Sequence, residues 1–573
     1  MQLHLRVPSS ISVLALASAY LGCGGSARAA AQDPREPFTR FPALGQEEEA
    51  RQLEEARRPP KAKEPKKTDV GISPEVLQKL AEAEAEREGL KGEDKEKAST
   101  VLQEQLEKIL AQARAVADED VRSPDSERRM RSEFEGLIGM LQPGAGVTRE
   151  DVKEFKEKVF GPQSFWVTEM RPSEDVVGGW LVRGNLRAPR EDVFDAARAG
   201  AEKLFGDRYE VLMVADPDAA ADDPDPRGGP RPAFILVPSA AVRPESSTGW
   251  QVLAAAVLLF LTVGSCFQLG VVANVTRLPP EALAALSTAA DLDPNAPLPG
   301  LDDPEVLADY IASSLPIMFG AVGVNATHEL GHRIAAALRQ IKLGPSFFLP
   351  NSQLGSFGAV TQLKSLANNY SDLWDVAAAG PLAGALVSLS LFGMGLAMTA
   401  DPSQAQADLV PVPTALFQGS LLLGGVARAV LGETAMAARS IGVHPFMIAG
   451  WCGMVTTAFN VLPVGNLDGG RMALSSLGRP GLNLTSFATY VGLALGILGS
   501  SLALPFGLYV IFLQREPERN VRDQVSPAAG YRGWATALAI ALAVLVLVPI
   551  APEIGQEIGI GSSSYTNSGG PYI

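Results

Sequence analysis

Two histidines four residues apart frame a glutamate in the run His328-Glu329-Leu330-Gly331-His332. On a helix that spacing projects both imidazoles from one face, where they can bind a single Zn2+ ion. Glu329, beside the first of them, is placed to take a proton from a zinc-activated water. The chain has only 4 His, so this motif uses half of them. A catalytic zinc takes a third protein ligand and keeps one position for water. Asp468 is the candidate, since it is one of few carboxylates in the second half outside an obvious loop. It follows Asn460-Val461-Leu462-Pro463 and Gly465 and precedes Gly469 and Gly470, residues that interrupt a regular helix. Broken helices at membrane depth are tolerated where they line a polar cavity. Asn460 offers an amide to a substrate carbonyl, or else an interhelical hydrogen bond. His444, next to Pro445, reads as a loop residue, and Cys266 and Cys452 read as packing residues in apolar segments.

The elements that hold these residues lie in the less charged part of the chain. Of the 573 residues, 81 of the first 245 are Asp, Glu, Lys or Arg, against 32 of the last 328. One third against one tenth implies two environments. Trp250 to Ala273 carries no charge and is long enough to cross a bilayer. Further apolar segments run at about Tyr310–Leu338, Val376–Ala400, Val410–Val426, Pro445–Val464, Leu484–Leu513 and Trp534–Ile550. They predict seven spans, or eight if the long one breaks near Pro505. Ionisable groups in such segments are costly and functional by default, which singles out His328, Glu329 and His332. The loop from Glu281 to Asp309 has seven acidic residues and no Lys or Arg. The basic loops then lie on the side of the N-terminal half, with Arg471 and Arg479 as the one conflict.

Residues 1–31 combine Arg6, an apolar run and Ala27-Arg28-Ala29 without an acidic residue, the layout of a targeting segment. Residues 32–73 read as a disordered linker and 74–150 as a charged helical region. Residues 160–245 alternate strand and helix patterns and predict a small α+β soluble domain. Residues 249–552 form the membrane core and 553–573 a C-terminal tail. The fold class expected is therefore an α-helical polytopic membrane protein with a small N-terminal α+β domain. A net charge of −15 argues against nucleic-acid binding, and three scattered cysteines exclude a disulfide scaffold.

The His328 to His332 run, taken with Asn460-x-x-Pro463-x-x-x-x-Asp468-Gly469, resembles the paired motifs of the site-2 protease family of intramembrane zinc metalloproteases. The likeness extends to Leu354-Gly355-Ser356-Phe357-Gly358 and Gly380-Pro381-Leu382-Ala383-Gly384. Arg183-Gly184-Asn185-Leu186-Arg187 and Arg277-Leu278-Pro279-Pro280-Glu281 are similar to its plastid branch, the ethylene-dependent gravitropism-deficient and yellow-green proteases. The resemblance covers Phe160 to the C-terminus. It implies zinc held by His328, His332 and Asp468, and Glu329 as general base. It also implies an extended segment at Gly355–Gly358 that pairs with an unwound substrate strand, against a plain interhelical loop.

The function expected is an intramembrane zinc metalloendopeptidase of a plastid membrane, acting within the lipid bilayer on membrane protein substrates. The alternative is a non-catalytic assembly or scaffold protein of the photosynthetic membrane, for which intact ligands would be unnecessary. A metal transporter would need more polar residues along its spans than the sequence has. The sequence carries no signal for oligomeric state.

Overall fold

The computed structural model describes residues 146–560, except 174–175, 177, 220–224, 227–228, 288–298, 302, 402, 404–408, 498–499 and 515. The targeting segment, the linker, nearly all of the charged helical region and residues 561–573 of the tail lie outside the described residues.

Helix α1 (Arg149–Val159) starts at Thr148, whose hydroxyl accepts from Asp151 N at 3.1 Å. Acidic residues in its first turn and lysines in its last complement the helix dipole. With α2 (Arg190–Phe205) it covers strands β1 (Phe165–Pro172), β2 (Trp180–Leu186), β3 (Tyr209–Ala215) and β4 (Pro232–Pro238). β4, central among these four, is buried along its whole length, which explains its unbroken Phe-Ile-Leu-Val run. Phe155, Phe165 and Phe234 are fully buried there, each contributing about 2–3 kcal/mol of apolar burial. Gly184 is required where it stands, because a Cβ would lie 2.2 Å from Trp166 O.

The sheet does not end with the N-terminal half. Its order is β1-β2-β4-β3-β10-β7, where β7 (Ala367–Asn369) and β10 (Val521–Asp523) come from far along the chain. Both are parallel additions, and Arg522 on β10 pairs with Glu210 on β3 at 3.1 Å. Burial pushes the Glu210 carboxyl up, but the Arg522 and Arg243 guanidiniums beside it hold it below the usual carboxylate range. The N-terminal strands are thus joined to the core by shared backbone pairing and a part-buried ion pair.

Among the described residues, three helices are long and apolar enough to cross a membrane: α3 (Gly249–Ala273), α4 (Pro304–Leu338) and α5 (Tyr370–Ala400). α4 has 35 residues and is therefore about 52 Å long, more than a hydrocarbon core of about 30 Å. Their outer faces carry large exposed apolar side chains such as Phe260 and Leu386, a surface suited to lipid rather than water. Between α4 and α5 the chain folds into a hairpin of β5 (Leu343–Asn351) and β6 (Gly355–Leu363). The Gly355–Gly358 stretch is thus extended strand, not an interhelical loop.

The segment expected as one apolar span at Val410–Val426 is divided. It begins as β8 (Val410–Pro413), paired with β9 (Ser440–Val443), and continues through a 3-10 turn into α6 (Leu421–Leu431). Prolines at 411 and 413, which remove backbone donors, suit this short two-stranded pairing better than a helix. α7 (Pro445–Asn460) is followed by α8 (Asp468–Gly496), which kinks at Gly478, φ +69°. The long apolar segment is not one helix: α8 ends at Gly496, and Pro505 sits in the first turn of α9 (Ala503–Leu513), where proline is tolerated. α10 (Arg532–Leu547) packs on α7 and α8. The tail is not free at its start: Pro552–Glu557 is helical and Ile560 is buried in the core.

Candidate metal centre

Helix α4 brings His328 and His332 to one face, with ring centroids 4.9 Å apart. Asp468, in the first turn of α8, meets them across the core. His328 Nε2 lies 3.1 Å from His332 Nε2 and 3.2 Å from Asp468 Oδ2, and His332 Nε2 lies 3.3 Å from that oxygen. All three residues are buried. His332 Nδ1 is 2.8 Å from the carbonyl of Val376, which can only accept. Nδ1 therefore carries the proton in the neutral ring, and Nε2 presents its lone pair. The His332 lone pair and the Asp468 carboxylate converge with His328 in a buried site, a donor set that suits a cation. Four ligands about 2.0 Å from a zinc ion in tetrahedral array stand about 3.3 Å apart, so the observed triangle fits one face of such a site. The N-terminal dipole of α8 adds a favourable field at Asp468.

Glycines make the room. A Cβ on Gly380 would stand 2.1 Å from His332 Nε2, and one on Gly384 3.1 Å from His328 Nδ1. These two lie four apart on α5, so one small-residue stripe accommodates both rings. Gly331 lets α4 approach α5, where a Cβ would stand 2.6 Å from Ala379 O. On the other side Gly469 and Gly470 allow residues 461–465 to fold over the start of α8.

Glu329 is buried, and its carboxylate is held by the hairpin. Ser346 Oγ donates to Oε1 at 2.5 Å and Thr361 Oγ1 to Oε2 at 3.0 Å; these two residues are cross-strand partners. Arg333 Nε pairs with Oε1 at 2.9 Å. Thr361 also lines a cavity of about 20 Å³ with His332, Asn460 and Asp468, a volume that holds about one water. Glu329 is thus connected through Thr361 to the wall of the cavity that His332 and Asp468 share.

Asn460 lines the same cavity, but both donors of its amide are engaged, by Phe357 O at 3.0 Å and Thr456 O at 2.8 Å. In this conformation it anchors β6 to α7. Gly358, φ +100°, is needed beside it, since a Cβ would lie 2.4 Å from Asn460 Nδ2. His444 is the cap of α7, its Nδ1 accepting from Phe446 N at 3.2 Å. Cys266 and Cys452 are buried free thiols. His4 lies outside the described residues.

Sequence reasoning alone misses Ser346, Thr361 and Arg471. Arg471, expected in a loop on the wrong side, is buried in α8 and paired with Glu518 at 3.1 Å. That removes it from the loop-charge comparison. A lone cation three residues after Asp468 in an apolar setting is the available signal. Ser346 and Thr361 give none, because only the hairpin register pairs them.

The model of peptidase family M50 matches residues 317–499, and that of the EGY3 middle domain matches residues 153–244. The chain is 43% identical over 425 residues to probable zinc metalloprotease EGY1, chloroplastic, of Arabidopsis thaliana, covering 74% of this chain and 76% of that one. The figures for the protein of the same name in Oryza sativa subsp. japonica are 43%, 74% and 72%. Arabidopsis thaliana EGY2, a probable zinc metalloprotease with the same location in its name, is 31% identical, covering 71% of this chain and 66% of its own. No solved structure matches. The chain belongs to the site-2 protease family of zinc metalloproteases, and within it to the EGY branch.

Proposed function

We propose that this chain is an intramembrane zinc metalloendopeptidase of a chloroplast membrane that cleaves membrane-embedded or membrane-proximal bonds of protein substrates. The convergence of His328, His332 and Asp468, with Glu329 adjoining, is the observation that carries this reading. The EGY relatives, whose names give both zinc metalloprotease and chloroplastic, support it. The assembly-protein alternative gives no reason for three buried ligand atoms to be held this way.

His328, His332 and Asp468 would hold the zinc, which when bound would supply Lewis acidity to the scissile carbonyl and lower the pKa of a water towards about 7. The Val376 carbonyl fixes the His332 tautomer that this requires. Glu329 accepts the proton of the attacking water and returns it to the leaving amine. Ser346, Thr361 and Arg333 orient its carboxylate for that transfer. The cavity has room for about one water beside His332 and Asp468, the reactant that the hydrolysis needs. Among the described residues β6 has one β-strand neighbour, β5, so an unwound substrate strand can add along its other edge. Asn460 and Thr456 tie β6 to α7 through the Phe357 and Ser356 carbonyls.

In this reading residues 160–245 act as a soluble domain at the membrane surface. Further crossings, beyond α3 to α5, of the seven or eight expected come from among α7 to α10. The test is Glu329→Gln in the full chain, reconstituted in lipid with a cleavable single-span substrate. Turnover should fall by about 10²–10⁴-fold while bound zinc is retained. Unchanged turnover with full zinc occupancy would remove Glu329 from the mechanism.

A further inference from the structure

A second cavity, about 390 Å³ in volume, lies beside the catalytic one. Its walls come from residues 244–246 ahead of α3, from Gln362, Leu363 and Lys364 at the end of β6, and from Glu518 and Asn520 ahead of β10. Asn466, two residues before Asp468, lines both cavities. β6 also runs through both: Ala359, Val360 and Thr361 line the catalytic cavity, and the next three residues line the second. At about 3.3 Å per strand residue, a chain laid along β6 from the metal centre enters the second cavity within about 10 Å.

The lining identifies the kind of ligand. The side-chain amides of Gln362 and Asn520 make no hydrogen bond among the described residues, so each presents unspent donors and an acceptor. Glu518 is spent on Arg471, which leaves Glu245 and Lys364 with opposite signs. Such a lining selects neither an anion nor a cation, and it offers apolar groups little. It matches peptide groups, each with one donor and one acceptor. Arg471 stands between the two cavities: its Nε donates to Asn466 Oδ1, and its Nη2 donates to Glu518 and to the Thr361 carbonyl, all at 3.1 Å.

We propose that this cavity binds the polar juxtamembrane segment of the substrate, taken in extended form as the continuation of the strand on β6. The inference rests on the peptidase reading and adds to it a site outside the bilayer-embedded cleft. It makes the flank on the side of the N-terminal sheet a determinant of affinity.

The experiment uses two synthetic single-span peptides with one transmembrane core, one bearing a Ser/Asn/Gln-rich flank on that side and one without it. Binding is measured to the full-length Glu329→Gln protein in lipid nanodiscs, so the readout does not depend on turnover. The flanked peptide should bind about tenfold more tightly. Ser246→Trp, which fills the cavity, and Gln362→Leu, which removes an amide, should each abolish that advantage without changing zinc content. Equal binding of the two peptides overturns the proposal and leaves the cavity to water or lipid head groups. So does an advantage that survives both variants. Failure of the peptidase reading shows separately, as wild-type protein that holds zinc yet cleaves neither peptide.

Discussion

The histidine helix and the Asp468 turn bring their residues to the proposed metal centre by opposite means. On α4 the regular helical period places His328 and His332, and the neighbouring helix need only leave space for the rings at Gly380 and Gly384. The Asp468 side has no period. Residues 461–467 fold back so tightly that a Cβ on Gly469 would stand 1.8 Å from Val461 O, and one on Gly465 1.9 Å from Gln514 O. Gly465 also has φ +53°, a conformation that favours glycine. Here backbone packs on backbone. The difference is that placing the ligands is separable from folding on the helix side and inseparable from it on the turn side.

The largest effect is expected where the two cannot be separated. Gly469→Ala should force the turn apart, costing about 3 kcal/mol of stability or more and lowering zinc affinity by about 100-fold. Thermal unfolding in detergent and zinc titration of the purified chain would register both losses. Gly380→Ala should give a different pattern. Its new methyl displaces the metal-facing edge of His332, so zinc affinity should fall by about 10–100-fold. The helix itself gains about 0.5–1 kcal/mol from replacing glycine, so the unfolding temperature should hold. If Gly380→Ala melts as early as Gly469→Ala, or Gly469→Ala stays stable while losing zinc, the contrast between the two sides collapses.

The same contrast governs how much of the molecule is legible in its sequence. The helix side is legible because spacing alone aligns His328 with His332, and Glu329 follows from adjacency. Strands β1 to β4 are legible too, from alternation and from turn residues around Asp216–Pro232. Asp468 is legible only as a carboxylate out of place, and its geometry depends on glycines whose partners are distant backbone atoms. Val410–Val426 misleads because apolar composition without helical length does not separate a span from a strand and a short helix. The additions of β7 and β10 to the sheet leave no trace, since three-residue strands have too short a pattern. Arg471 reads as a loop charge because loop assignment follows the apolar gaps, and the partner that buries it, Glu518, is 47 residues away.

Arg471 tests whether the two sides communicate. It stands one turn beyond Asp468, and its guanidinium ties the turn through Asn466, the substrate-facing strand through the Thr361 carbonyl, and the C-terminal segment through Glu518. Thr361 in turn holds Glu329, which belongs to the histidine helix. Arg471→Lys keeps the positive charge, so Glu518 retains a partner, but an ammonium on a flexible stem cannot reproduce the planar fork. The loss is one or two hydrogen bonds, about 1–2 kcal/mol, smaller than either glycine effect. Zinc content should stay within about twofold, because no ligand of the proposed centre is touched. Turnover should fall by about tenfold, because the strand that orients Glu329 loses its tether to the turn. Steady-state cleavage and zinc analysis of the same preparation decide between the outcomes. Full turnover would mean that the strand and the turn act independently. A loss of zinc as large as that of Gly469→Ala would make Arg471 part of the turn's own packing rather than the link between the two halves of the site.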